Sequence, residues 1–394
     1  MFNRLLKKYL ETAWTQFPAV VLTGARQVGK TTLARQFLPD ANYVTLDNFA
    51  EAERARQSPA QFLDSHPAPL IVDEVQYAPS LFRELKIRID NDRRPGRYLV
   101  TGSQSFEVMA GVTESLAGRC AVLNLPALAF SEITPQPSIE DFFWRGGFPE
   151  LWEKPEIDRD LWLGSYVSTY LERDVRSVRN VGDLRDFERL LRALALRAGQ
   201  VLSYAHLARD AGVSPNTAKS WISILEANRQ IFLLEPWHRQ RTKRLVKSPK
   251  VYFCDSGLLA FLMAFRRVEE LVIHPLWGAF WENLVVSETL KIFLNKGQRP
   301  PLWFWRTSTG DEIDLLIETA PETFWAVECK SAEQVDKNAT RQFHALRAEY
   351  GPRSLAKGFV ACRTPIPYPL ETGFPCEAVP LQGAGGLLQQ VEAL

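Results

Sequence analysis

The amino-acid sequence predicts an α/β protein organised around a mostly parallel sheet, and three observations carry that reading. Val20-Val21-Leu22-Thr23 is a short apolar run that enters a glycine-bounded loop, Gly24 to Gly29, and a helix begins at Lys30. Downstream, strand-like apolar runs alternate with helical stretches as far as Leu125, the pattern of parallel strands joined by crossover helices. Thr23 to Thr31, Asp73-Glu74 and Thr101 to Ser103 all fall at the carboxyl ends of those runs, where ligands sit in such sheets.

The loop satisfies G-x-x-x-x-G-K-[ST] from Gly24 to Thr31, with a strand before it and a helix after it. Gly24 and Gly29 let backbone N–H groups turn toward a phosphate with no Cβ in the way. The helix start offers unpaired N–H groups and a partial positive charge to the same anion. Lys30 can reach the β- and γ-phosphates, and the Thr31 hydroxyl suits Mg²⁺. Gly24, Ala25, Arg26, Gln27, Val28, Gly29, Lys30, Thr31 and Thr32 are therefore the candidate nucleotide-binding set, and the implied ligand is a nucleoside triphosphate, ATP first.

The other elements follow in order. Met1 to Trp14 carries Arg4, Lys7, Lys8 and Glu11 among apolar positions and reads as an amphipathic helix. Asn42 to Leu46 is a β-rich run ending at Asp47, and Leu70 to Val72 is a buried-type strand ending in Asp73 and Glu74. A carboxylate fixed at such an end, Asp73, suits a second contact to Mg²⁺, and Glu74 is then placed to orient and deprotonate an attacking water. Arg97 to Thr101 is a fourth strand, after which Thr101 or Ser103 can hydrogen-bond the γ-phosphate or the water, or serve as plain turn residues. Cys120 to Leu125 is a fifth. Arg119, just before it, reads either as an arginine finger or as a surface arginine.

Composition limits the function classes. With 394 residues, 46% hydrophobic and 24% charged, the chain has the make-up of an ordinary globular protein of two or three domains. A net charge of +1 means that nucleic-acid binding needs a local patch. The five cysteines form no C-x-x-C pair, which argues against a zinc site or a disulfide framework and for a reducing, cytoplasmic setting. No apolar run approaches membrane-spanning length.

Taken together, Gly24-Ala25-Arg26-Gln27-Val28-Gly29-Lys30-Thr31-Thr32, Val72-Asp73-Glu74-Val75-Gln76, Thr101-Gly102-Ser103-Gln104, Leu116-Ala117-Gly118-Arg119 and Gly146-Gly147-Phe148-Pro149-Glu150 resemble a large bacterial and archaeal family of AAA-type ATPases. The resemblance covers essentially the whole chain. It implies that Gly24 to Thr31 is the Walker A loop, Asp73 and Glu74 Walker B, and Ser103 a sensor-like residue. It also implies that the strand ending at Thr101 lies between the strands ending at Thr23 and Asp73. Tyr170 to Asp174 matches a further motif of that family in a helical lid, making Arg173 a second candidate arginine.

Three regions are expected: 1–155, an AAA-type core; 156–255, a helical lid with a winged helix-turn-helix; and 256–394, an endonuclease-like α/β domain. Asp158 to Ala198 is helical in pattern. Ser203 can cap a helix ending at Gly212, and Ser214-Pro215 starts another that reaches about Asn228. Two strand-like runs, Gln230 to Trp237 and Val251 to Cys254, then flank a tip with Arg239, Arg241, Lys243, Arg244, Lys247 and Lys250 and no acid. Such a patch can clamp DNA phosphates, with Asn216, Thr217 and Lys219 facing a groove, or can be a solvated hairpin tip.

In the last third, Trp277 to Phe293 reads as a helix carrying Glu282. Leu302 to Arg306, Glu312 to Glu318 and Phe324 to Lys330 read as strands. Asp314 and Glu328 on neighbouring strands, with Lys330 two residues beyond Glu328 on the same face, suit Mg²⁺ or Mn²⁺ and an attacking water. This arrangement resembles the PD-(D/E)XK nucleases, in which Glu282 would be the additional acid on the first helix. Lys291, Lys296 and Arg299 nearby can face a phosphate backbone. Asp314 follows Ile313 where that group has proline. Two functions stay open: an ATP-driven switch that places a metal-dependent nuclease on DNA, or an ATPase whose last domain binds DNA or protein without cutting. An arginine supplied across a subunit boundary would demand a homo-oligomer.

Overall fold

The computed structural model describes residues 2–102, 111–112, 114–171, 184–238 and 248–394. Its N-terminal sheet runs in the order β2-β3-β4-β1-β5, where β1 is Ala19–Thr23, β2 Asn42–Thr45, β3 Leu70–Asp73, β4 Tyr98–Thr101 and β5 Cys120–Asn124. All neighbouring pairs are parallel, and β4 lies between β1 and β3 as the resemblance implies.

The alternation of a strand explains how this sheet is covered. Ala19 and Val21 point into one core with Val44, Val72, Val100, Phe82 and Leu85, whereas Val20 and Leu22 point into another with Ile71, Leu99 and Leu33. Helix α1, Lys7–Gln16, turns Leu10 and Ala13 into that second core, and α2, Lys30–Phe37, adds Leu33 and Ala34. With both faces covered, β1 is buried at all five positions, so its carboxyl end delivers the phosphate loop from the stiffest part of the sheet.

After the sheet the described chain is mainly helical, including Ile139–Arg145, Arg159–Tyr166 and Leu184–Ala195. Helix α3, Tyr204–Ala211, is capped by Ser203 and ended by Gly212 at φ 73°, and α4, Pro215–Ala227, is capped by Ser214, which accepts from Thr217 N at 3.1 Å. An antiparallel pair follows, β6 (Ile231–Leu234) and β7 (Lys250–Phe253).

Helix α5, Trp277–Asn295, is buried around nearly its whole circumference, because it lies between the middle region and a six-stranded sheet. That sheet has the order β12-β13-β11-β10-β9-β8, with β8 Leu302–Arg306, β9 Glu312–Ala320, β10 Thr323–Cys329, β11 Leu355–Ala361, β12 Tyr368–Pro369 and β13 Cys376–Val379. One hydrophobic core runs without a break from Leu128 through Phe142, Leu225, Tyr252 and Phe280 to Val391, so residues on both sides of the expected 255/256 boundary share it. The Asp255 carboxylate reaches back to Gly147 N at 2.7 Å across the expected 155/156 boundary.

Candidate functional site

Helix α2 starts from Gly29 in a left-handed conformation, φ 92°, and Gly24 sits at φ 151°, where a Cβ would lie 2.3 Å from the Leu125 carbonyl oxygen. Only glycine allows the loop to pass there. The loop opens onto a cleft of about 550 Å³ lined by Lys30, Thr31, Glu74, Tyr77, Glu150 and Lys154, among others. Lys30 Nζ donates to the carbonyls of Gly24 and Ala25 at 3.2 and 2.8 Å, which stand in for phosphate oxygens.

Asp73 is buried just behind this cleft, under Thr31. Its carboxylate accepts from Thr31 Oγ1 at 2.9 Å, from Tyr43 OH at 3.0 Å and from the Thr101 hydroxyl. Three hydroxyls orient the carboxylate without neutralising it, as a group destined for a cation requires. Burial and the Asp73 charge together push the Tyr43 phenol up to about 12. Thr101 is thus a support for Asp73 rather than a group turned to the γ-phosphate. Glu74 sits at φ 59°, uncommon for a residue with a side chain, and accepts from the Gln76 side-chain amide. Ser103 and Arg173 lie outside the described residues.

Sequence reasoning missed three contributors, Tyr43 and two more. Arg4, 7% exposed, donates to the loop carbonyl of Val28 at 2.7 Å and to Pro126 O at 2.6 Å, and pairs with Glu132 at 3.1 Å. It braces the phosphate loop from behind, a role that depends on contacts more than a hundred residues apart in sequence. Lys154 faces the cleft, paired with Glu150 at 2.9 Å; the Gly146 to Glu150 motif was the available signal.

Arg119 is not brought to this site. It precedes β5, at the amino edge of a sheet whose phosphate loop is at the carboxyl edge, about 16 Å away at strand rise. Its guanidinium instead grips Asp90 at 2.8 and 2.9 Å.

The second candidate site is in the C-terminal sheet. Glu312 and Asp314 on β9, Glu328 on β10 and Glu282 on α5 do converge. Burial first, and the nearby Asp314 carboxylate second, raise the affinity of Glu282 and Glu328 for a proton. Lys330 pairs with Glu328 at 2.7 Å, while Asp314 Oδ2 accepts from Cys329 N at 2.8 Å. The centre of the cluster, however, holds Lys250. Its Nζ lies 2.9 Å from Glu282 Oε1 and 3.6 Å from Asp314 Oδ1, and it also contacts Glu312. Lys250, expected in a basic tip that either clamps DNA phosphates or is solvated, is 2% exposed; β7 turns it inward. The residues present therefore do not fit Mg²⁺ or Mn²⁺ at this place.

Two further expectations change. Lys291 is buried, pairs with Glu288 at 2.7 Å and donates to Leu128 O, so it cannot face a phosphate backbone; Lys296 donates to Glu392 O. On α4, Asn216 and Lys219 are exposed, but the Thr217 hydroxyl is engaged with Ser214 at 2.8 Å. Arg239, Arg241, Lys243, Arg244 and Lys247 lie outside the described residues.

A five-stranded parallel sheet, with a lysine-ended glycine loop after β1 and an aspartate ending β3, the strand next but one, defines a P-loop ATPase core of the AAA type. Residues 16–134 match a family described as an AAA domain, residues 136–269 a domain of unknown function, DUF8612, and residues 277–382 another, DUF4143. Uncharacterized proteins of Mycobacterium tuberculosis and Mycobacterium bovis are each 33% identical over 313 residues, covering 78% of this chain and 69% of theirs. The chain belongs to the family of these AAA-domain proteins. Among solved structures, it is similar to a Walker-type ATPase of Pyrococcus abyssi (TM-score 0.45, 17% identity, 65% of this chain and 94% of that one). A RuvB of Thermotoga maritima is also similar (TM-score 0.29, 16% identity, 58% and 88%). Among the described residues no helix is long and apolar enough to cross a membrane.

Proposed function

We propose that this protein binds and hydrolyses ATP with magnesium and uses the nucleotide cycle as a switch on a DNA partner. The observation that carries the reading is that Lys30 and Thr31 line the cleft while Asp73, buried behind Thr31, accepts from its hydroxyl at 2.9 Å and is oriented by two more hydroxyls. Mg²⁺ held by Thr31 and Asp73 would neutralise charge building on the phosphates. Lys30 exchanges the carbonyls of Gly24 and Ala25 for phosphate oxygens, and the loop N–H groups take the rest of the anion. Glu74, on the same cleft wall, accepts the proton of the attacking water as the γ-phosphoryl leaves ADP. Arg119 can assist only in a neighbouring subunit of a homo-oligomer, after leaving Asp90.

The DNA contact is supported by exposed Asn216 and Lys219 on α4 and by the basic residues 239–247 that follow β6. The C-terminal region is then a DNA- or protein-binding module rather than a cutter, a reading favoured by Lys250 among its carboxylates. Calorimetric titration with ATP and Mg²⁺ tests the core. Heat of binding in the wild type, absent in Lys30→Ala, is expected; no heat from folded wild type overturns the proposal. Replacing Arg241, Lys243 and Arg244 by Glu should weaken duplex-DNA binding and flatten its salt dependence. An unchanged affinity and slope refutes that contact. Plasmid nicking with Mg²⁺ or Mn²⁺ that Asp314→Ala and Lys330→Ala both abolish would refute the non-cutting reading.

A further inference from the structure

A buried ammonium is stable only where carboxylates replace its lost hydration, and a cluster of buried carboxylates is stable only around a cation. The C-terminal pocket satisfies both needs from within the chain. Glu282, Glu312 and Asp314 surround Lys250 Nζ, Arg306 holds the far side of Glu312 at 3.2 Å, and Lys330 holds Glu328. Three fixed cations thus stand against four carboxylates. Tyr252 completes the shell by donating to Glu282 Oε1 at 2.6 Å. One position is still unmet: Glu328 Oε2, in a side chain 6% exposed, is buried with no hydrogen-bond partner among the described residues.

Lys250 is delivered there by a strand held on both edges. It pairs with Leu234 of β6 on one side and bridges to Val201 on the other. The flanking backbone is held by Leu202 N to Pro249 O and Gly199 N to Val251 O, both at 2.8 Å. A divalent ion held by the same carboxylates would stand beside a like charge, which opposes their sharing the place.

We propose that the ammonium of Lys250 is the resident cation of the C-terminal carboxylate pocket, held there in place of a divalent metal ion and fastening the β6–β7 hairpin to the C-terminal sheet. The pocket is an internal ion lock between the middle and last regions. This assignment stands whether or not the first cleft hydrolyses ATP.

The test is Mn²⁺ binding to the full chain without nucleotide, followed by the electron paramagnetic resonance of free Mn²⁺, in a Lys30→Ala background that separates it from the first cleft. Lys250→Ala should bind one Mn²⁺ about tenfold or more tightly than the parent, and adding Asp314→Asn should abolish the gain. A parent chain that itself holds a Mn²⁺ released by Asp314→Asn overturns the proposal. So does a folded Lys250→Ala chain that binds no better than its parent. If Lys250→Ala does not fold alone, refolding decides: recovery with Mn²⁺ but not with K⁺ supports the lock, and equal failure with both overturns it.

Discussion

At the end of β3, Asp73 is gripped by Thr31, Tyr43 and Thr101, all neutral hydroxyls. On β9, Asp314 faces the ammonium of Lys250, with Glu282 and Glu312 sharing the same cation. Both sites put acids on the sheet of an α/β layer. In the first the protein supplies orientation and leaves the charge for a ligand; in the second it supplies the counter-charge as well. A carboxylate cluster therefore says little about metal binding until its cations have been found, and those can come from remote sequence. Lys250 is 32 residues from Glu282 and lies in a different sheet from Asp314.

The largest effects should separate the two sites by activity. Lys30→Ala should lower ATP turnover about 10²- to 10³-fold through lost binding. Glu74→Gln should lower it by a similar factor with binding intact, so steady-state kinetics beside calorimetry distinguishes the two. Stability should then invert the order. Lys250→Ala should cost about 3–5 kcal/mol in urea denaturation, because it strands buried carboxylates. Asp73→Asn should cost less than about 1.5 kcal/mol, since its partners remain hydrogen-bonded, yet should remove most ATPase activity. Equal losses would break the contrast between an open and a compensated site.

A smaller effect sharpens it. Tyr43→Phe removes one of the three hydroxyls on Asp73 and should raise the Mg²⁺ needed for half-maximal ATPase activity about tenfold, with little change in turnover at saturation. The smallest belongs to Arg119→Ala: unchanged ATP affinity and an unchanged denaturation midpoint, because its partner Asp90 is at the far edge of the sheet. A fall in turnover that depends on protein concentration would instead identify Arg119 as a finger acting between subunits.

Local pattern made the ATPase core legible. The buried run of β1, the glycines at positive φ and the acids ending β3 are each set by neighbours within a few residues, where steric and periodic rules act. The strands carrying Asp314 and Glu328 were legible for the same reason. Arg4, Tyr43 and Lys250 were not. Their roles depend on which side chain burial forces to find a partner, and the partners, Val28, Asp73 and Glu282, are distant in sequence or on another strand. Lys250 misled because basic neighbours suggested solvent, whereas strand alternation and the shared core turned it inward.

The sequence by itself determined the alternating α/β architecture, the phosphate loop from Gly24 to Thr31 and the acids at Asp73 and Glu74, because short-range geometry and period suffice for these. Only the tertiary structure decided that Asp73 keeps its charge available while Asp314 shares a lysine, and that Arg119 turns away from the cleft. Charge balance in a buried site is a sum over everything packed around it, and that sum is not written in any one stretch of chain.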